Sequence, residues 1–239
     1  LEAAGIRALP TGIEHGTVTA VVGDSQFEIT TLRVDVETDG RHARVRFVDD
    51  WRADAARRDF TINTLTCTAN GDIFDPFGGM DDLAQGQVRF VGLAKDRIEE
   101  DLLRVLRFFR FYASYGRPPA DVDALAACRA AAPRIGELSG DRVRKELFRI
   151  LLAPNPADTI VLMRGEKVLD TLLPEAGDVG RLRIMGWLET NAMRMDSVRA
   201  DALRRLAALL DASIEDTTEV ARRLNLSNAD ARRLAAIAR

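Results

Sequence analysis

The 239 residues carry 34 Lys and Arg against 37 Asp and Glu, a formal net charge of −3 with a pI near 5.6, which excludes a uniformly basic nucleic-acid binder. With 46% hydrophobic and 30% charged residues and no apolar run of membrane-spanning length, the chain reads as a globular cytoplasmic protein of one large or two modest domains, with no membrane partner. Cys67, Cys128, His15 and His42 are too few for a zinc site or a disulfide framework, so any metal would be held by carboxylates.

Leu1 to Gly5 read as the last turn of a helix with a glycine stop, and with no initiator Met the chain is expected to be cut from a longer one. His15–Gly23 and Phe27–Arg33 are β-rich and joined by Gly23-Asp24-Ser25, which predicts a hairpin. Gly16 before Thr17 marks either a bulge or a close approach to the backbone. Asp35 to Arg46 is charged and is expected to be a loop. Asp50 is placed to cap a helix running from Trp51 into Arg57-Arg58-Asp59-Phe60-Thr61-Ile62-Asn63. The arginines, Asp59 and Asn63 of that string could hold a phosphate and a sugar hydroxyl, or simply form a solvated helix end. Asn70-Gly71 makes a hairpin turn, Pro76-Phe77-Gly78-Gly79 a tight loop, and Gln87–Val91 alternates as a last strand. Beyond Asp96 only helices are expected, near 97–115, 121–131 and 139–152 and then to the end, with amphipathic packing segments at 177–199 and 213–225.

The most distinctive stretch is Glu100-Asp101-Leu102-Leu103-Arg104-Val105-Leu106-Arg107-Phe108-Phe109-Arg110. Asp101, Arg104, Arg107 and Arg110 recur every third residue with apolar residues between them, which predicts one charged stripe on an otherwise buried helix. A salt-bridged helix face would account for a lone acid and arginine at this spacing. Three arginines one turn apart repel, however, and call for an anion such as a triphosphate. A carboxylate that accepts beside a guanidinium that donates also matches adenine and cytosine, which present an exocyclic amine next to an acceptor nitrogen. Guanine and uracil present the opposite pattern.

Taken in order, Arg57-Arg58-Asp59-Phe60-Thr61-Ile62-Asn63, Asp75-Pro76-Phe77-Gly78-Gly79 with Asp82-Leu83, and Glu100-Asp101-Leu102-Leu103-Arg104 with Arg107 and Arg110 resemble the class II tRNA nucleotidyltransferases, the CCA-adding enzymes and the similar bacterial poly(A) polymerases. His15–Val18 and Glu28–Arg33 are similar to that family's palm strands, and the resemblance covers about residues 10–152. It implies an α+β fold: a partial polymerase-β-like head with a small mixed sheet over 1–95, a helical nucleotide-selecting neck over 96–155 and a helical RNA-binding body over 156–239. It also implies metal-dependent nucleotidyl transfer from ATP and CTP to tRNA, with Mg2+ as cofactor. Arg58, Arg107 and Arg110 would contact the nucleotide or its phosphates, Asp59 would sit near the sugar or the reacting centre, and Asp101 with Arg104 would read the base edge. Glu28 is a candidate accessory acid. The family's G-G-x-x-R-D loop and D-x-D metal pair have no counterpart here, and Asp35-Val36-Glu37 falls too late to replace them. The Mg2+ ligands are therefore expected upstream of residue 1, and this stretch alone is expected to catalyse poorly. A poly(A) polymerase, an A-adding or CC-adding specialist, and a non-catalytic RNA-binding module are the alternatives.

Overall fold

A computed structural model of the chain describes residues 1–38, 43–189, 199–211 and 213–238. The β-branched run of β2 (Thr17–Val22) lies between β1 (Arg7–Gly12) and β3 (Ser25–Thr30), and the three form one antiparallel sheet in the order β1-β2-β3. The hairpin closes at Val22 opposite Ser25, with Gly23 at φ 59° in the turn. Gly16 answers the choice between bulge and close approach: at φ 73° it lies under the Phe47 ring, and a Cβ there would come within 2.5 Å of that ring.

The expected loop over Asp35–Arg46 is instead part of a second hairpin, β4 (Arg33–Thr38) with β5 (Ala43–Phe47), and residues 39–42 lie outside the described residues. Alternation of valine with charged residues produces this strand pair, and the high charge of the segment masks it in the sequence. The third hairpin is β6 (Thr66–Cys67) with β7 (Ile73–Phe74), closed at Gly71. Every described strand pairing is antiparallel, so the sheet expected to be mixed is three small antiparallel ones.

Asp50 caps α1 (Trp51–Ala56) by accepting from the Arg52 and Ala53 amides. The helix stops at Ala56 rather than running to Asn63. The predicted last strand over Gln87–Val91 shrinks to a single bridge, Phe60 with Phe90, because only residues 59–61 lie beside it. Between these segments α2 (Gly79–Gln85) packs against the turn at 61–63.

From α3 (Ala94–Glu100) and α4 (Arg104–Tyr115) onward the described chain is helical: α5 (Val122–Ala131), α6 (Gly140–Leu152), α7 (Pro156–Gly165), α8 (Val168–Leu172), α9 (Val179–Trp187), α10 (Ala202–Leu209), α11 (Ile214–Arg223) and α12 (Asn228–Ile237). Residues 190–198 of the predicted 177–199 segment lie outside the described residues. The axis of the core is α4, whose Val105, Leu106, Phe108 and Phe109 are fully buried against α6 and α7. Phe60 and Phe90 extend that core toward the strands, with Phe60 and Phe90 centroids 4.8 Å apart and Phe90 and Phe108 stacked at 6.0 Å. Those aromatic contacts fix residues 57–63 against α4.

Candidate functional site

Charge pairing shapes the stretch after α1. Asp54 is buried, and it precedes Arg57 by three residues and Arg58 by four, so both guanidiniums fold back onto it. Arg57 Nη2 donates to Oδ1 at 2.7 Å, Arg58 Nη2 donates to Oδ2 at 3.0 Å, and the Arg33 amide donates to Oδ1 at 3.1 Å. Burial pushes the Asp54 carboxyl up, but the hydrogen bonds from Arg57, the Arg33 amide and Arg58 outweigh it and hold the group below the usual carboxylate range.

Asp59, only 4% exposed, is saturated by its neighbours. Its Oδ1 accepts from the Phe60 amide at 3.0 Å and from Asn63 Nδ2 at 2.9 Å, and its Oδ2 accepts from Arg107 Nε at 2.6 Å and pairs with Arg107 Nη2. Those contacts fill roughly the four acceptor sites of a carboxylate. Arg58 adds a bond from Nη1 to the Asn63 carbonyl at 3.0 Å. Arg58, Asp59, Asn63 and Arg107, which sequence reasoning had named separately, therefore form one connected group.

The neck differs from the expected continuous helix over 97–115. The backbone leaves the helix at Asp101, at φ −153°, and α4 begins afresh at Arg104. Burial of Leu102 and Leu103 and a bond from the Leu103 amide to Asp101 Oδ1 at 3.1 Å favour the break. Asp101 thus sits at the entrance of α4 instead of one turn down its face, and its carboxylate accepts from Arg142 Nη2 of α6 at 2.9 and 2.7 Å.

The three arginines of α4 each find a carboxylate within the chain, which is how their mutual repulsion is offset. Arg104 Nη1 meets Glu100 at 2.5 Å, Arg107 meets Asp59, and Arg110 Nε meets the buried Glu146 of α6 at 2.6 Å. Burial lowers the Arg110 pKa, while Glu146 works in the opposite direction. Arg97 and Arg104 also donate to the Ala56 and Arg57 carbonyls, both at 3.3 Å, and so tie the end of α1 to the neck. Seven guanidiniums, of Arg57, Arg58, Arg97, Arg104, Arg107, Arg110 and Arg142, face five carboxylates, of Asp54, Asp59, Glu100, Asp101 and Glu146. The cluster retains an excess of positive charge, and the side chains of Arg58 and Arg107 stay 31% and 28% exposed. It can therefore accept a polyanion without first losing its internal pairs.

Sequence reasoning passed over Asp54, Glu100 as a partner, Arg142 and Glu146. The spacing of Asp54 to Arg57 and Arg58 could have revealed the first. Arg142 and Glu146 lie at i, i+4 on α6, but their partners are about 40 residues away in sequence. Glu28 stands apart: it is exposed on β3 opposite Thr19, and its carboxylate makes no hydrogen bond or ion pair within the described chain. Asp75 accepts from the Gly79 and Met80 amides at 2.8 and 3.0 Å and fastens the start of α2, while Asp82 receives the Thr61 hydroxyl and Arg89. Among the described residues no three His, Cys, Asp or Glu side chains converge to hold a metal ion. Asp35 lies on β4.

The sequence and the fold are matched by known proteins. The model of the "Poly A polymerase head domain" matches residues 1–89, and that of the "Probable RNA and SrmB- binding site of polymerase A" matches residues 121–178. Over these two stretches the chain is thus similar to poly(A) polymerases. The human CCA tRNA nucleotidyltransferase 1, mitochondrial (Homo sapiens), is 49% identical over 154 residues, which are 63% of this chain and 36% of that protein. The CCA-adding enzyme of Streptococcus sanguinis is 41% identical over 150 residues, 62% of this chain and 37% of that protein. The crystal structure of the Bacillus stearothermophilus CCA-adding enzyme in complex with CTP superposes with a TM-score of 0.79 at 27% identity, covering 97% of this chain and 55% of that one. The α+β fold is therefore that of the family's head, neck and body. The chain spans well under half the length of these two curated relatives.

Proposed function

We propose that the protein is a tRNA nucleotidyltransferase that adds C, C and A to tRNA 3′ ends from CTP and ATP. The terminal hydroxyl oxygen forms the new bond to the nucleotide α-phosphate, and the bond to the departing pyrophosphate breaks. The observation that carries the reading is the placement of Asp101 and Arg104 at the entrance of α4, where Arg104 also donates to the Arg57 carbonyl, next to Arg58, and Arg107 of the same helix holds Asp59. In that place Asp101 can accept from an exocyclic amine while Arg104 donates to a ring nitrogen, as adenine and cytosine require. Arg58, Arg107 and Arg110 would neutralise the triphosphate, and Asn63 would support the sugar beside Asp59. Glu28, exposed on β3, would serve as an accessory acid. The names of the human and streptococcal relatives support tRNA as the acceptor.

Mg2+ is the cofactor this class of phosphoryl transfer uses, where paired metals activate the attacking oxygen and stabilise the leaving one. No carboxylate cluster among the described residues fits it, because Asp59 is saturated by Arg107, Asn63 and the Phe60 amide. No step is therefore assigned to a metal held by this stretch. A cytoplasmic location is consistent with two unpaired cysteines, Cys67 and Cys128.

The test uses the full-length protein, tRNA ending at the discriminator base and each of the four nucleoside triphosphates. Sequential C, C and A in the sequenced products, with ATP and CTP bound in preference to GTP and UTP, is the expected result. Long A tracts would establish a poly(A) polymerase instead. Products that stop after CC, or start only on a CC end, would establish a specialist. tRNA binding without incorporation would establish a non-catalytic module. Equal affinity for all four nucleotides would remove the base-reading role, and Asp101→Ala should relax selection more than it weakens triphosphate binding.

A further inference from the structure

We infer that the face made by α3, α5 and the loop leading into α3 is where a second copy of this chain docks, across a two-fold axis. This pairing is independent of the nucleotide chemistry proposed above. A groove of about 830 Å³ opens on that face, lined by Ile98 of α3 and by Ala126, Ala127, Ala130 and Ala131 of α5. Alanines keep the groove deep, because no longer side chain of α5 fills it. Leu93 stands on its rim, and Val122 lies between the lining residues Asp121 and Asp123. They are 71% and 76% exposed, the two most exposed large hydrophobic side chains among the described residues. A single exposed apolar side chain is ordinary, but two of them beside an apolar groove mark a contact surface.

The occupant follows from the way this face carries its own complement. Leu93 is a knob and the alanine floor a hole, and a two-fold axis sets each knob in the other copy's hole, because such a contact pairs residue i with j and j with i. Charge along α5 has the same property. Asp121 and Asp123 lie at its start, Arg129 lies in its last turn with a side chain 60% exposed, and Arg134 follows in the 3-10 turn Ala132–Glu137 at 42%. Laid antiparallel on its own copy, the acidic start of each helix meets the cationic end of the other, whereas a parallel pairing would set like charges together. Arg129 and Arg134 pair with Glu166 and Glu99 within the chain, but a guanidinium has five donors and can take a second carboxylate. Asp123 has no ion-pair partner among the described residues, so it gains most from a cation across the axis. None of Arg58, Asp59, Asn63, Asp101, Arg104 or Arg107 lines the groove, and pairing here uses no residue of that cluster.

Full-length wild-type protein, Leu93→Glu and Val122→Lys are compared by sedimentation velocity and light scattering over a range of concentrations, with thermal melting of each. A closed dimer is expected for the wild type. Either substitution should weaken self-association about tenfold or more, the scale of one buried apolar anchor, and should leave the folded transition in place because both side chains are exposed. In a Cys67→Ser background, which removes the exposed native thiol, Ala130→Cys should cross-link to its own copy through a short bismaleimide, and Ala229→Cys, exposed on α12, should not. A wild type that stays monomeric would overturn the inference. So would a dimer that both substitutions leave intact, which would place the contact on another surface, and so would an open series of assemblies, which would make it head-to-tail. None of these results depends on which nucleotide is added.

Discussion

The three-stranded sheet and the neck helix follow their periodicities equally well, yet they are used differently. On β3 every residue is exposed, Phe27 by 54% and Ile29 by 46%, and Glu28 between them has no side-chain partner among the described residues. On α4 the apolar positions are fully buried, and every arginine is matched to a carboxylate from a different element: Glu100 of α3, Asp59 beyond α1 and Glu146 of α6. The contrast shows that a charged residue in this chain acquires a defined geometry where its helix is also the centre of the core. Rigid apolar packing holds the backbone, and the ion pairs then need only orient side chains.

The sharpest way to break this comparison is to remove apolar bulk from each region. Phe108→Ala should cost about 3–5 kcal/mol in urea unfolding, because it empties a fully buried site between Phe90 and Tyr112. A Phe108→Ala protein as stable as wild type would show that α4 is not the core's axis. Next in size is Glu146→Ala, which leaves Arg110 in a half-buried position without its partner and should cost about 2 kcal/mol.

A smaller effect is expected for Asp54→Asn, and it depends on pH. The folded Asp54 carboxyl ionises below its ordinary value of 3.8. Its contribution to stability is therefore present above that value and is lost as pH falls through the lower folded value. The stability gap between wild type and Asp54→Asn should be widest near neutrality and should close as the pH is brought down below 3.8 and through the lower folded value. A gap independent of pH would mean that Asp54 acts through shape alone. The smallest effect is expected for Phe27→Ala, which should shift stability by less than about 0.5 kcal/mol on the exposed strand. A larger loss would mean that this sheet face is covered in solution.

Much of the site was legible because its chemistry is local. Arg58, Asp59 and Asn63 lie within six residues, and the three-residue spacing of Arg104, Arg107 and Arg110 survives as a real helical stripe. What misled the reading was also local. Within Asp35–Arg46, the strand residues 35–38 and 43–46 read as loop because charge outweighs a period-2 pattern. Helix α1 reads as running to Asn63 because nothing local signals that Phe60 leaves the helix to bridge Phe90. Asp101 reads as part of the helix because its spacing fits, although an acid three residues before a helical start can hold the Leu103 amide and open the turn instead.

By itself the sequence determined the α+β class, the strand hairpin at Gly23, the helical second half and the identity of the charged side chains that form the cluster, because hydrophobic period and turn chemistry act over a few residues. Only the tertiary structure decided which carboxylate meets which guanidinium. Asp59 with Arg107 and Asp101 with Arg142 span 48 and 41 residues. Such pairs form when the Phe60–Phe90–Phe108 stack and the packing of α6 on α4 bring their elements together, and no local pattern in the chain encodes that approach.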